Sequence, residues 1–380
     1  MKTKARTAQT ILGIFCLLVF LGNAATLFAG ESELFPRPQS LLPAVTFWKE
    51  IYLTYSVGDF LLHDRTRLDL VYEVIRVEAH GNQGQAIKLA EPALRRARAK
   101  YQGILTRLAQ GTPPAELGAD GLRVAEAWGC PCSPELLRRA AENIRVQQGL
   151  REQVAQGLER ARDLMPRVVP ILKKHDLPVE LAAIPMVESA WNTKARSKVA
   201  AVGLWQFMRA TARQYFLRIT RKQDERRDPL RATEGAAHLL RDNYAELGSW
   251  PLAIVAYNHG TAGIQRAQRE IGSPAIEAII ANYNGPRFGF ASRNFYPEFL
   301  AALEVLQPVL REHIQSRQGE SPRDTSSEPK PPGVNAEDSH PIITTITSSP
   351  VTAPQEDTER NGPVGQAGVM MDGCDTTCSP

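Results

Sequence analysis

The sequence predicts a mainly α-helical protein, with a helical body, an N-terminal helical extension and a disordered C-terminal tail. Three observations carry this expectation. Apolar residues recur at helical spacing through most of 85–312, the first thirty residues are basic and then apolar, and the last 81 residues contain no aromatic side chain.

The N-terminus places Lys2, Lys4 and Arg6 before 11-ILGIFCLLVFL-21, followed by the small residues of 22-GNAATLFAG-30. This is the pattern of a secretory signal peptide, assigned here to 1–29, with Ala24, Ala25 and Ala29 as cleavage positions. An uncleaved anchor is the rival, because 7–30 is uncharged and long enough to span a bilayer. Both readings predict export, to the periplasm, with or without membrane association. Cys16 follows Phe15 instead of a small residue, which argues against lipoprotein attachment. The formal charge of +4 falls to +1 beyond residue 30, where 42 basic residues face 41 acidic ones. No basic run is interleaved with aromatics, so nucleic acid is excluded as a partner.

Residues 30–84 mix aromatic and short apolar stretches, and the β-branched 70-LVYEVIRVE-78 predicts a short strand. From 85 to 165 the pattern is helical. In 86–111, Leu94, Ala97, Tyr101, Ile104, Leu105 and Leu108 share one face. Residues 112–132 are broken by Pro and Gly and read as loop with short helical pieces. Ser133-Pro134 is a helix start, and 135–175 reads as at least two helices interrupted at Gly149, Gly157 or Pro166. Further helices are expected at 206–216, 228–246, 250–258, 262–271, 274–282 and 294–312, with Asp228-Pro229 as N-cap and first-turn proline. The segment 313–380 is rich in Pro, Ser, Thr and acidic residues and is expected to be disordered. Cys130, Cys132, Cys374 and Cys378 remain beyond the leader, with connectivity open. No Cys or His set has zinc-site spacing, and neither metal nor cofactor is expected.

One stretch raises a chemical question. In 181-LAAIPMVESAWN-192 an apolar run ends in Glu188 and Ser189. A helix opening after Asp176, with Pro178 in its first turn, puts Leu181, Ile184, Pro185 and Glu188 on one stripe. A carboxyl group on an apolar stripe has its charged form disfavoured and its pKa raised, which suits a general acid near neutral pH. A helix-end glutamate facing water is the plain alternative.

Two further segments bear on that choice: 203-GLWQFM-208, reached through the small residues of 193–202, and 256-AYNHG-260. Gln206 lies 18 positions beyond Glu188, and Tyr257 a further 51 beyond Gln206. Together these segments resemble the ES, GLxQ and AYN motifs of the soluble-lytic-transglycosylase domain in the goose-lysozyme-like superfamily. Upstream 144–161 and downstream 288–305 resemble the membrane-bound lytic murein transglycosylases. The likeness covers 140–310 well and 40–80 more loosely. Ala200 stands where that family usually carries glycine, and the low-complexity tail replaces its common lysin motifs.

The resemblance implies a lysozyme-like catalytic domain over 166–312 acting on peptidoglycan glycan strands without a cofactor. Glu188 would protonate the bridging oxygen between N-acetylmuramic acid and N-acetylglucosamine. It would then deprotonate the muramoyl 6-hydroxyl to leave a 1,6-anhydro end. Ser189 would bond near the acetamido group or cap the helix, and Gln206 would offer its amide. Gly203 and Leu204 would bring backbone close to substrate. Trp205 and Phe207 would wall the sugars, or serve as plain core. Tyr257 would orient Glu188, Asn258 would bond substrate, and Arg293 and Asn294 would line the cleft. A hydrolytic muramidase, which needs a second acid from Asp224, Glu225 or Asp228, is the rival enzyme. A non-catalytic wall-binding protein is the rival outside enzymes.

Overall fold

A computed structural model describes residues 34–79 and 83–318. The expectations for the signal peptide, for most of the tail and for Cys374 and Cys378 lie outside the described residues. Among those residues the chain forms α1 (Leu42–Leu53), β1 (Asp59–Asp64), β2 (Val71–Arg76), α2 (Gln83–Ala109), α3 (Gly118–Ala127), α4 (Pro134–Glu142) and β3 (Ile144–Gln148). There follow α5 (Arg151–Lys174), α6 (Ile184–Ser189), α7 (Arg209–Gln214), α8 (Pro229–Leu247), α9 (Trp250–His259), α10 (Thr261–Ile271), α11 (Ile276–Asn282) and α12 (Phe290–Gln318). The fold is mainly helical, as expected. None of these helices is long and apolar enough to cross a membrane.

A three-stranded antiparallel sheet in the order β2-β1-β3 divides the molecule into two cores. Side chains alternate faces along a strand, and β1 uses both. Phe60 and Leu62 join the smaller core with Tyr72, Tyr101, Leu105, Ile144 and Val146. Leu61 joins the larger core, and the ring of His63 lies 4.8 Å from Phe47. The sequence reading found β2 and missed the other two strands. Buried on both faces, β1 reads as an apolar run without the alternation that marks a strand. Strand β3 lies inside 135–175, which was expected to hold at least two helices and no strand. The helical region therefore breaks at 143–150, where Gly149 crosses the turn after α1. A Cβ on Gly149 would stand 2.3 Å from the carbonyl oxygens of Tyr55 and Ser56.

The expected division of 135–175 into at least two helices falls at Gly149, and neither Gly157 nor Pro166 interrupts α5. A proline inside a helix loses a hydrogen bond and clashes with the preceding turn. Here Met165, Val168, Val169 and Leu172 are all buried, so packing on both sides of Pro166 holds the helix. Gly157 has a different use, since a Cβ there would lie 2.9 Å from the Ala190 carbonyl at the end of α6. The Asp228-Pro229 start of α8 is as expected, with Asp228 Oδ1 accepting from the N–H groups of Leu230 and Arg231.

The larger core gathers α1, α5, α6, α8, α9 and α12. Helix α1 packs along α12, bringing Trp48 and Tyr52 against residues nearly 250 positions away. Phe35 joins them, 5.4 Å from Phe299.

Candidate active site

The chain reaches Glu188 differently from the sequence reading. Asp176 has φ +56 and does not cap a helix, and Pro178 precedes a 3-10 turn, Val179–Ala183, that leads into α6. Every residue of α6 is buried, so Glu188 has no solvent-facing alternative whatever its helical phase. The helix ends at Ala190 and Trp191, both in the left-handed region at φ +47 and +59. The Arg160 guanidinium fixes that turn by donating to the Ala190 carbonyl from Nε (3.1 Å) and Nη2 (2.8 Å).

Glu188 is wholly buried, and neither carboxylate oxygen has a hydrogen-bond partner. An unpaired anion in such a place is costly, so burial favours the neutral form. Burial first, and then the charge of Glu298, push its pKa well above the ordinary carboxylate value. Glu298 comes from α12 and is also wholly buried. It accepts a 3.0 Å hydrogen bond from the Tyr52 hydroxyl, and burial pushes its pKa up to about 8 against the lowering effect of that bond. The sequence reading missed Glu298. One signal was available, a carboxylate inside the apolar run 295-FYPEFLAAL-303.

The GLWQF segment folds into a tight turn closed by isolated bridges from Val202 to Arg196 and to Phe207. Gly203, at φ +84, passes so close to the Arg226 carbonyl that a Cβ would sit 1.8 Å from that oxygen. Ala200 also has positive φ, +66, which accounts for glycine as the residue the family resemblance led one to expect there. Ser189 Oγ donates to the Leu204 carbonyl (2.8 Å) and back to the Pro185 carbonyl (3.2 Å), tying α6 to the turn. Its hydroxyl is thus held by backbone.

Gln206 is wholly buried at φ +47. Its Nε2 donates to the Gly203 carbonyl at 2.7 Å, while Oε1 is left without a partner. Trp205 and Phe207 are wholly buried, so both rings wall the site interior instead of lining an open groove. The Trp205 indole donates to Thr233 Oγ1 on α8 at 2.9 Å. Tyr257 lies 6.3 Å from the Trp205 ring and 6.5 Å from Phe207. Its hydroxyl was expected to orient Glu188, but its proton goes to the Trp205 carbonyl at 2.7 Å. Tyr257 remains electrostatically close to the acid, and burial followed by the Glu188 charge raises its own pKa far above the usual phenol value. Asn258 Oδ1 accepts from Ser292 Oγ, which is also 3.0 Å from His259 Nδ1, so the AYNHG segment is bonded to the start of α12.

The three acids weighed as a second catalytic carboxylate are all committed elsewhere. Asp224 forms a two-point pair with Arg226 (2.9 and 2.7 Å), which lowers its pKa. The same guanidinium donates to the carbonyls of Phe207 and Ala200, bracing the turn. Glu225 accepts from the Arg218 backbone and side chain, with its pKa lowered chiefly by the backbone bond. Asp228 caps α8. Arg293 and Asn294 line a separate cavity of about 840 Å³ together with Arg65, Arg67, Trp128 and Phe288. None of Glu188, Gln206 or Tyr257 lines it.

Residues 170–280 match the transglycosylase SLT domain. Over 109 residues the chain is 38% identical to membrane-bound lytic murein transglycosylase D of Escherichia coli K12, and equally to its counterpart in E. coli O6:H1 (strain CFT073). That stretch is 28% of this chain and 24% of either relative. A protein of Alteromonas sp. (strain M-1) named for tributyltin chloride resistance is 33% identical over 121 residues, 32% of this chain and 58% of that one. The chain therefore spans about a quarter of the length of the transglycosylase D proteins it matches. The matched segment carries Glu188, the GLWQF turn and Tyr257 together, so the likeness to the transglycosylase SLT domain falls on the part of the chain that builds the site.

Proposed function

We propose that the protein is a peptidoglycan lytic transglycosylase that cuts the β-1,4 bond between N-acetylmuramic acid and N-acetylglucosamine. The observation that supports this most directly is Glu188, a wholly buried carboxyl group with both oxygens unpaired and its pKa raised. Such a group is protonated at neutral pH and has a proton to give to a glycosidic oxygen. Once ionised it stands in a site that disfavours its charge, and it takes a proton back from the muramoyl 6-hydroxyl. The product is a 1,6-anhydromuramic end. Trp205, Phe207 and Tyr257 wall the acid, Ser189, Gly203 and Leu204 hold the turn against α6, and the unpaired Oε1 of Gln206 and the amide of Asn258 meet the sugar. The loop 193–200, which leads into the GLWQF turn, carries the exposed Lys194, Lys198 and Val199.

Hydrolysis with two carboxylates is the second reading, because Glu298 supplies a second buried acid. A retaining or inverting hydrolase needs its partner carboxylate ionised. With a pKa of about 8, Glu298 is neutral at pH 7, which favours the lytic route. The catalytic unit in this proposal spans 166–312 and takes Tyr52 from α1. The substrate places it outside the cytoplasm, in keeping with the N-terminal pattern.

Mass spectrometry of muropeptides released from purified sacculi tests the proposal. Anhydromuramic ends are expected, and reducing ends alone would favour hydrolysis. Glu188→Gln is expected to cut release by roughly 10²–10⁴-fold. Clearing at the wild-type rate would remove Glu188 from the mechanism.

A further inference from the structure

His175, Glu234 and His238 form a cluster that the proposed chemistry does not use. His175 follows the last residue of α5, while Glu234 and His238 stand four apart on α8, so one helical face presents both. Glu234 Oε2 lies 2.5 Å from His175 Nε2. The two imidazole rings meet edge to face with centroids 4.7 Å apart, and one ligating atom from each of the three residues falls within 4.8 Å of the other two. We propose that this cluster is a binding site for a divalent transition-metal ion, with solvent completing the coordination shell.

Two imidazoles and one carboxylate are the ligand set of zinc, and they do not suit calcium or magnesium, which take oxygen ligands. The sequence carries no compact zinc motif because the third ligand comes from just beyond the end of α5, 59 positions before Glu234. The surroundings fit a ligand role. Lys174 Nζ holds Glu234 Oε1 at 3.0 Å and so orients the carboxylate with Oε2 turned to the histidines. The ion displaces two weaker partners: the proton between His175 and Glu234, and the exposed Arg241, whose Nη2 lies 3.0 Å from His238 Nδ1. Phe216 flanks the His238 ring edge to face, with centroids 6.4 Å apart.

Such an ion joins α5 to α8. Thr233, the neighbour of Glu234, accepts the indole N–H of Trp205, so the helix being clamped is the one that supports the GLWQF turn. The site is a staple behind the active site, and none of its residues is among the proposed catalytic set.

Metal-free full-length protein titrated with Zn²⁺ by calorimetry, and with Co²⁺ in the visible range, tests this directly. Wild type is expected to bind one more equivalent of Zn²⁺ than His238→Gln, to show Co²⁺ ligand-field bands that the variant lacks, and to melt higher with Zn²⁺ than with chelator. His175→Gln, altered on a different element, is expected to behave likewise and keeps the test decisive should His238→Gln fail to fold. Equal melting of wild type and variants in chelator shows that the fold is intact. Equal stoichiometry and equal thermal shifts in wild type and both variants would overturn the proposal, as would no Zn²⁺ binding by wild type.

Discussion

Glu188 at the end of α6 and Glu298 on α12 are two wholly buried carboxyl groups, and the charge of the second makes the first harder to ionise. Removing that charge lowers the pKa of Glu188. Glu298→Gln is therefore expected to retain activity while the alkaline limb of its pH–rate profile moves to lower pH. The profile of sacculus clearing measures this, and an unshifted limb would show that Glu298 does not tune the acid.

The same residue makes stability depend on pH. Its folded-state pKa of about 8 lies above the ordinary value of 4.5, so the folded protein holds a proton that the unfolded chain releases. Its contribution is fully present below about pH 4.5 and is lost as pH rises through about 8. Denaturant melts between pH 5 and 8.5 are expected to show falling stability in wild type and a flatter profile in Glu298→Gln.

Gly203 admits no side chain. Both its φ of +84 and the Arg226 carbonyl oppose a Cβ, so Gly203→Ala is expected to cost about 3 kcal/mol and to open the turn that holds Gln206. Urea melts and loss of sacculus clearing would report the two effects separately.

Ala200 is the converse case. A Cβ in the left-handed region costs about 1–2 kcal/mol, against roughly 0.5–1 for the extra freedom of glycine in the unfolded chain. Ala200→Gly is therefore expected to leave the protein equally or more stable, by up to about 1.5 kcal/mol, in the same melts.

Cys130 and Cys132 face one another with sulfurs 2.7 Å apart. Burial, then the hydrogen bond and charge of Cys130, push the Cys132 thiol up to about 11. Reduced protein is expected to alkylate slowly at Cys132 at pH 8, with the rate still rising past pH 10, as peptide mapping after timed iodoacetamide exposure would show.

Long helices with a cap or a clear face were readable: Asp228-Pro229 announced α8, and the stripe through Leu94, Tyr101 and Leu108 announced α2. Features set by distant contacts were not. The strand Asp59–Asp64 is buried on both faces and lacks alternation, and the strand Ile144–Gln148 exists through its pairing with it. Inwardness of Glu188 was legible, though for an incomplete reason, since burial on all sides makes phase irrelevant in α6. Glu298 was legible only as a carboxylate inside an apolar run, and Tyr52 gave no signal, because neither lies in the ES, GLxQ or AYN segments. Both also fall outside 170–280, so the acid's surroundings extend beyond the matched segment.

The Tyr52 hydroxyl reaches Glu298 across 246 positions of chain. A contact of such sequence separation closes a long loop, at a larger entropy cost than a short one. A chain that emerges from its N-terminus makes α1 early and must wait for α12 before the acid has its second carboxyl neighbour. The environment that raises the Glu188 pKa is therefore complete only once both ends of the described body have met.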